Sequence, residues 1–415
     1  MSAQFYHRNT CRLCEGRDLS LVLKLTPCPP VDAYVPASRL QEVQEAFPLD
    51  LFLCHNCGHT QLLDVVSPKL LFGSYIYTTA SSPGLVEYFR TYADEVIDYA
   101  QPAPGSTVAD IGSNDGTLLG FFKKRGLRVL GIDPAQNIAE AATASDIETV
   151  PSFFTGELGR KLRAERGPFS LVTANNVFAH SDQLGDMAAG VHAMLSQEGL
   201  FVFEVSYMLD MVKNMVFDFI YHEHLSHHSA KPLQLFLRRH GLELLHVQRT
   251  PSKGGSLRCF AQLENGPRKA SPSVDAILNL ENEFGLYDLE TYKIYAANIE
   301  KAKSDLNRAL TPFKSTGNKI AGYGASATGT VLIYHFDLGD SLSCIIDDNP
   351  LRQNLFSPGH HIPVLSPKAL YNDKPDAVVI LAWRFADMII KKHESYLKNG
   401  GKFIVPLPTL TITGG

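Results

Sequence analysis

No apolar run in this 415-residue chain approaches a membrane span; the longest, such as Asp376 to Trp383, fall far short of the ~20 residues a bilayer requires. The first ten residues are polar and hold no signal-peptide apolar region, so the cytoplasm is the expected compartment. Cations are not in excess either. Lys and Arg total 38 against 43 Asp and Glu, a formal charge of -5, which argues against nucleic acid as a partner. No repeat or heptad points to an interface, so oligomeric state is left unassigned. What remains, at 45% hydrophobic and 20% charged residues, is a globular chain too long for one core, and two or three domains are expected.

Cysteine is sparse but unevenly placed. Four of seven fall in two pairs, Cys11-Arg-Leu-Cys14 and Cys54-His-Asn-Cys57, each followed closely by a glycine, Gly16 and Gly58. A glycine there takes the left-handed turn that aims backbone N–H groups at thiolates. Two such knuckles supply four soft ligands for a tetrahedral ion, and zinc fits best. A reducing compartment disfavours the alternative disulfides. The long gap between pairs predicts an intervening hairpin, with His55 and His59 as competing ligands. A saturated four-cysteine site has no open position, so this zinc is structural.

The middle of the chain alternates strands and helices. Thr107 to Ile111 reads as a strand, followed by Gly112-Ser-Asn-Asp-Gly116 and a helix from Thr117 to Arg125. Arg128 to Ile132 is a second strand, ending at Asp133. Further strands are expected at Glu148 to Phe154, Phe169 to Val177, Gly199 to Val205, Leu242 to Arg249 and Gly255 to Leu263. The count is seven, the last two as a hairpin through Pro251 to Gly254. That pattern implies an α/β fold whose mostly parallel sheet binds ligands at the strands' carboxyl ends. The loop lacks the third glycine of GxGxxG and carries polar side chains where a pyrophosphate would sit, which suits a ligand with an amino-acid end. Asp133 stands where an acid accepts both ribose hydroxyls.

After a long polar helical stretch, Ser273 to Phe313, comes Lys319-Ile-Ala-Gly-Tyr-Gly-Ala-Ser-Ala-Thr-Gly329, a strand, glycine turn and helix start. Gly322, Gly324 and Ala327 match GxGxx(G/A). Strands at Cys344 to Ile346, Asp376 to Trp383 and Lys402 to Pro406 complete a half-Rossmann unit. It fits NAD, a sugar nucleotide or a purely structural turn.

The loop Asp110 to Gly116 with Asp133 resembles that of class I S-adenosylmethionine-dependent methyltransferases. Carried over by motif, Asp110, Gly112, Asn114, Asp115, Gly116, Asp133, Phe153 (or Phe154) and Asn175 would hold S-adenosylmethionine, with Asp133 at the ribose and the phenylalanine at the adenine. Over nearly its whole length the chain resembles the nucleotide-sugar C-methyltransferases that make branched-chain deoxysugars. The shared layout is a zinc-binding lobe, 1–78, a seven-stranded methyltransferase core, 79–265, and a helical stretch with a C-terminal Rossmann-like unit, 266–415. That family's turn Gly-Ala-x-x-Lys-Gly carries a lysine where this chain has Thr328, so no phosphate contact is assigned to that position.

One segment concentrates acid/base groups: Ile220-Tyr-His-Glu-His-Leu-Ser-His-His-Ser229 holds four histidines, a tyrosine and a glutamate. Groups this dense are costly to bury and suit proton movement. Methylating C3 of a 4-keto sugar requires a base at the C–H and a donor for the enolate oxygen. The resemblance makes His224 the base, with Tyr221 and Glu223 orienting it or stabilising the oxyanion. His180 is a second base candidate, and Tyr75 is favoured as a further catalytic residue. Tyr77, His222, Gly324, Ser326 and Asp347 are expected on the substrate, a nucleotide-linked keto-deoxysugar. A second metal site would place His224 and His228 on one helix face, and His227 and His228 read equally well as surface residues. Alternative functions are O- or N-methylation of a small molecule, a zinc-containing RNA-binding or RNA-modifying protein, and an NAD oxidoreductase.

Overall fold

The computed structural model describes residues 4–72 and 78–414, which form four sheets. Tyr75 and Tyr77 lie outside these residues. Among them, no helix is long and apolar enough to cross a membrane.

The N-terminal lobe is built from β1 (Phe5–His7), β2 (Leu19–Cys28), β3 (Phe47–Cys54), β4 (Thr60–Leu62) and β5 (Asp64–Val66). Phe47, Leu49, Leu51 and Leu53 recur at every second position of β3 and all face the core, the period of a half-buried strand. β2 and β3 pair antiparallel between the two cysteine knuckles.

The core sheet comprises β6 (Thr107–Ile111), β7 (Arg128–Ile132), β8 (Thr149–Val150), β9 (Phe169–Asn175), β10 (Leu195–Ser206), β12 (Leu242–Thr250) and β13 (Ser256–Leu263). Its order is β12-β13-β10-β9-β6-β7-β8; β6 to β10 run parallel and the β12–β13 hairpin antiparallel. This is the class I methyltransferase sheet. The third strand is shorter than its apolar pattern suggested, because Pro151 has no N–H to continue the ladder and Ser152 turns back onto the Val150 carbonyl.

β11 (Ser226–His227) does not join the core sheet. It pairs antiparallel with β4, giving the N-terminal lobe a sheet of order β11-β4-β3-β2. The histidine segment is therefore a splint between lobe and core, and no helix runs from His224 to His228.

The C-terminal sheet holds β14 (Ile320–Tyr323), β15 (Cys344–Ile346), β16 (Val364–Leu365), β17 (Ala377–Ile380), β18 (Phe403–Val405) and β19 (Thr411–Thr413) in the order β16-β15-β14-β17-β18-β19. The single long helix expected before it is two, Pro272–Glu283 and Leu289–Ser315, interrupted where Gly285 turns left-handed at φ 69°. One buried apolar cluster runs from Leu51 through Phe203 to Ile345, joining all three units.

Candidate active site and zinc centre

The loop leaving β6 is fixed by its backbone. Gly112 sits at φ 71°, donates to the Ile132 carbonyl at 2.7 Å, and a Cβ there would collide with Val177. Asn114 donates its N–H to Asp133 Oδ2 at 2.9 Å, and Ala135 donates to Oδ1 at 2.9 Å, so the acid is oriented by the two loops it joins. Asp115 Oδ1 accepts from the backbone and hydroxyl of Thr117, opening the helix Thr117–Lys124 directly after Gly116. Asn114 Oδ1 and Asp115 Oδ2 accept the N–H groups of Thr79 and Ala80 at 2.8 and 2.7 Å, tying the loop to the turn before the core. Asp110, fully enclosed, takes a 2.6 Å bond from Thr173, and burial pushes its carboxyl up to about 7. Phe153 is 53% exposed, while Phe154 packs against Gly190, which leaves Phe153 free to stack on a ring. Asn175 ends β9 beside Glu204 of β10. This cradle of small loop residues and one oriented acid suits a nucleoside carrying an amino-acid end.

His224 meets His180, a residue of the loop that follows β9. Its Nδ1 lies 2.7 Å from the Phe219 carbonyl. A carbonyl only accepts, so Nδ1 carries the hydrogen and Nε2 is left with its lone pair. Burial pushes the imidazole down to about 4, so it is neutral at physiological pH. The ring stacks on His180 at 5.1 Å and meets Tyr221 at 4.1 Å. Burial also holds His180 well below the ordinary histidine range, with His224 and Lys253 reinforcing it. Glu223 moves the other way, up to about 7, chiefly by burial and then by Asp32, with Lys253 opposing.

Other parts of the segment are structural. His222 is wholly buried, its Nε2 3.2 Å from the Phe47 carbonyl and its ring edge-on to Phe47, so it braces the N-terminal lobe instead of meeting a substrate. His227 and His228 are buried too, which corrects the surface reading. His228 packs between Phe178 and His59, and His59 Nε2 lies 3.1 Å from Ser226 Oγ.

Three features escaped sequence reasoning. Lys253, at φ 53° in the β12–β13 turn, brings a cation within electrostatic reach of His180, His224, Glu223 and Glu204. Asp218, just before the histidine segment, is completely buried and accepts from Trp383 Nε1 at 3.0 Å and twice from Arg384 Nη1 at 2.8 and 2.9 Å. Glu204 accepts from Tyr88 at 2.7 and 2.6 Å and from Arg258 at 3.1 Å. The only sequence-level hint was Lys253 preceding two glycines where a tight hairpin favours glycine.

The C-terminal unit repeats the core's backbone logic. Gly324 donates to the Ile346 carbonyl at 2.8 Å, Asp347 accepts from Ala325 and Asn349 at 2.6 and 2.7 Å, and Ser326 caps the helix Ala327–His335. Arg384 Nη2 lies 3.3 Å from Thr328 Oγ1, so a guanidinium from another element stands beside the position where a lysine is absent. An open cleft of about 730 Å³ separates the β12–β13 turn from Trp383 to Asp387 and is lined by both Lys253 and Arg384. A second hollow of about 540 Å³ lies at the strands' starting edge, by Thr107 and Arg128, away from every candidate residue.

In the N-terminal lobe, the four Sγ atoms of Cys11, Cys14, Cys54 and Cys57 all lie within 4.8 Å of one another. Cys11–Cys57 and Cys14–Cys54 are 3.7 and 3.5 Å apart, against about 3.8 Å for the edge of a tetrahedron with Zn–S bonds near 2.3 Å. Gly16 N–H donates to Cys14 Sγ at 3.4 Å. Gly58 takes the expected left-handed turn at φ 84°, but in the first knuckle Glu15 does so, at 61°. Gly16 is needed for space, since a Cβ would press on Asn56. His55 instead pairs with Ser20 and His59 with Ser226, so neither joins the set.

Three family models match the chain: "Putative zinc binding domain" over residues 11–72, "Methyltransferase domain" over 86–247 and "C-methyltransferase C-terminal domain" over 251–408. The C-methyltransferase NovU of Streptomyces niveus is 32% identical over 399 residues, covering 96% of this chain and 95% of that protein. Among solved structures, PH0226 of Pyrococcus horikoshii OT3 has 14% identity and a TM-score of 0.38, covering 45% of this chain and 94% of its own. Magnesium protoporphyrin IX methyltransferase (ChlM) of Synechocystis PCC 6803, solved with bound SAM, has 14% identity and a TM-score of 0.34, over 47% and 88%.

Proposed function

The chain belongs to the family of S-adenosylmethionine-dependent C-methyltransferases, and from that premise we propose that it methylates C3 of a nucleotide-linked 4-keto-deoxysugar through an enolate. The observation that carries the reading is the His224 imidazole: neutral, its Nδ1 pinned by Phe219, its Nε2 open, and stacked beside His180.

A sugar carbon has no lone pair to offer a methyl donor, so its methylation requires a base that first removes the C–H proton. A base of this kind would also serve a hydroxyl, and the C-methyltransferase family membership is what favours carbon. His224 Nε2 takes the proton from C3. The C–H electron pair becomes the C3–C4 double bond, and the carbonyl pair moves onto oxygen. Gly112, Asn114, Asp115, Gly116, Asp133, Asn175 and Phe153 would hold S-adenosylmethionine, which would supply an electrophilic methyl group. Tyr221 and His180 flank the base, and Glu223, its carboxyl lifted by burial to about 7, offers a hydrogen bond to a sugar hydroxyl. Gly324, Ser326 and Asp347 bind the nucleotide end. The zinc of Cys11, Cys14, Cys54 and Cys57, fully ligated by protein, holds the lobe that braces the histidine segment.

The test is incubation with 4-keto-6-deoxy sugar nucleotides in D₂O without S-adenosylmethionine, read by mass spectrometry. The expected result is deuterium at the carbon beside the ketone, reduced about 10²–10⁴-fold in His224→Gln, with S-adenosylmethionine affinity unchanged. Methyl transfer to oxygen or nitrogen without any exchange would overturn the carbon-acid reading.

A further inference from the structure

Lys253 occupies a backbone conformation that lysine disfavours. In the turn Pro251 to Gly255 it sits at φ 53° and ψ 28°, where a side chain crowds its own carbonyl and glycine or asparagine is cheaper. The surrounding turn enforces this. Gly255 N–H and Ser256 Oγ both donate to the Ser252 carbonyl, at 2.9 and 3.0 Å, and Asn214 Nδ2 donates to the Gly254 carbonyl at 3.3 Å. Eleven other described non-glycine residues also hold a positive φ, among them Glu15 and Lys374, so the strain alone assigns nothing and the surroundings of the ammonium must supply its task.

The task follows from what surrounds the ammonium. The cleft that Lys253 lines is also lined by Arg384, whose guanidinium lies 4.6 Å from the Phe219 ring, and that ring stacks 5.8 Å from His224. Glu204, Glu223, His180 and His224 also lie within reach of the Lys253 charge. Glu204 is already bonded by Tyr88 and Arg258. Among the described residues Lys253 makes no hydrogen bond and no ion pair within 4.0 Å, while its side chain is exposed along the cleft shared with Arg384. An uncommitted cation beside a neutral base is the counterpart that base requires: removing a proton from carbon places negative charge on the neighbouring carbonyl oxygen, and a preorganised donor there lowers the barrier.

We propose that Lys253 is a catalytic residue whose ammonium donates a hydrogen bond to the substrate's carbonyl oxygen and stabilises the enolate formed when His224 takes the adjacent proton. The proton goes to His224 Nε2, the C–H pair forms the carbon–carbon double bond, and the oxygen carries the charge against Lys253 without taking its proton. When the enolate carbon takes the methyl group, the donor's S–CH3 bond breaks with its electron pair left on sulfur, the carbonyl is restored and the ammonium is unchanged. This role rests on the carbon-acid reading above and extends it with the electrophilic partner.

Two variants separate charge from fold. Lys253→Gly relieves the left-handed strain while deleting the ammonium, so its melting temperature should equal or exceed that of the wild type. Lys253→Met keeps the stem without the charge. Deuterium exchange into a 4-keto-6-deoxy sugar nucleotide should fall about 10²–10³-fold in both, with S-adenosylmethionine affinity unchanged, and ethylammonium should restore part of the rate to Lys253→Gly alone. Wild-type exchange with a near-normal rate in folded Lys253→Gly or Lys253→Met would overturn the role of Lys253 and leave the carbon-acid reading standing. Methylation of oxygen or nitrogen by wild type, without exchange, would overturn both.

Discussion

Replacing Arg384 with methionine isolates the contact that fastens the C-terminal unit to the segment leading into the histidines. Asp218 has 0% side-chain exposure and Arg384 16%, and their two short contacts are supplemented by the Trp383 indole. Arg384 also lies 4.6 Å from the centre of the Phe219 ring, which methionine preserves in part. Removing the guanidinium leaves a buried carboxylate with one neutral donor, a loss on the order of 3–5 kcal/mol. Burial already pushes the Asp218 carboxyl above its ordinary 3.8, with Arg384 the largest opposing influence. In Arg384→Met that restraint disappears, and the folded state holds its proton to higher pH than the unfolded one. Stability of the variant must therefore fall as pH rises, and the penalty should be smaller at pH 5 than at pH 8. Urea unfolding of wild type, Arg384→Met, Asp218→Asn and the double variant at both pH values gives the coupling directly. Because Phe219 supplies the carbonyl that orients His224, turnover should drop along with stability. A loss below about 1 kcal/mol that does not change with pH would refute the buried-charge reasoning.

Acidification should destabilise the fold through its buried histidines. His222 and His224 are pushed down to about 4 and His228 to about 3 from an ordinary 6.5. The unfolded chain then binds more protons, so stability should be lost progressively as pH falls from 6.5 towards 4, on the order of 3 kcal/mol for His222 alone. Flat urea midpoints across that window would show these imidazoles are solvated. Chelation of zinc should unfold the N-terminal lobe, with rate lost in step with structure; a chelated protein with native circular dichroism and no activity would contradict a purely structural ion.

What could be read from the chain was whatever has a local cause. The strand β6, its glycine loop and the closing acid Asp133 are contiguous, and apolar runs with turn residues suffice to place them. The cysteine knuckles are legible for the same reason, though not that Glu15 takes the left-handed turn while Gly16 makes room for Asn56. β11 was invisible: two residues carry no periodicity, and their pairing with Thr60 and Gln61 spans 165 positions or more. The burial of His227 and His228 depends on that pairing, so polarity alone pointed the wrong way. The Asp218–Arg384 contact bridges 166 positions and joins residue types common on surfaces. Lys253 was missed because a single lysine in a turn has no pattern until the fold brings both histidines to it.

The outer strand of the zinc lobe's sheet is also the continuation of the segment that holds His224, the proposed base. On the proposed function, metal occupancy and turnover would therefore be mechanically linked, with the ion outside the chemistry. In a titration of apo-protein, rate would rise in proportion to bound zinc, as it does for a true zinc hydrolase. Such a curve alone is an ambiguous signature in this architecture. A metalloenzyme and a metal-scaffolded enzyme diverge only in what replacement ions do: cobalt or cadmium, accepted by the same four thiolates, should leave the rate constant per folded molecule untouched.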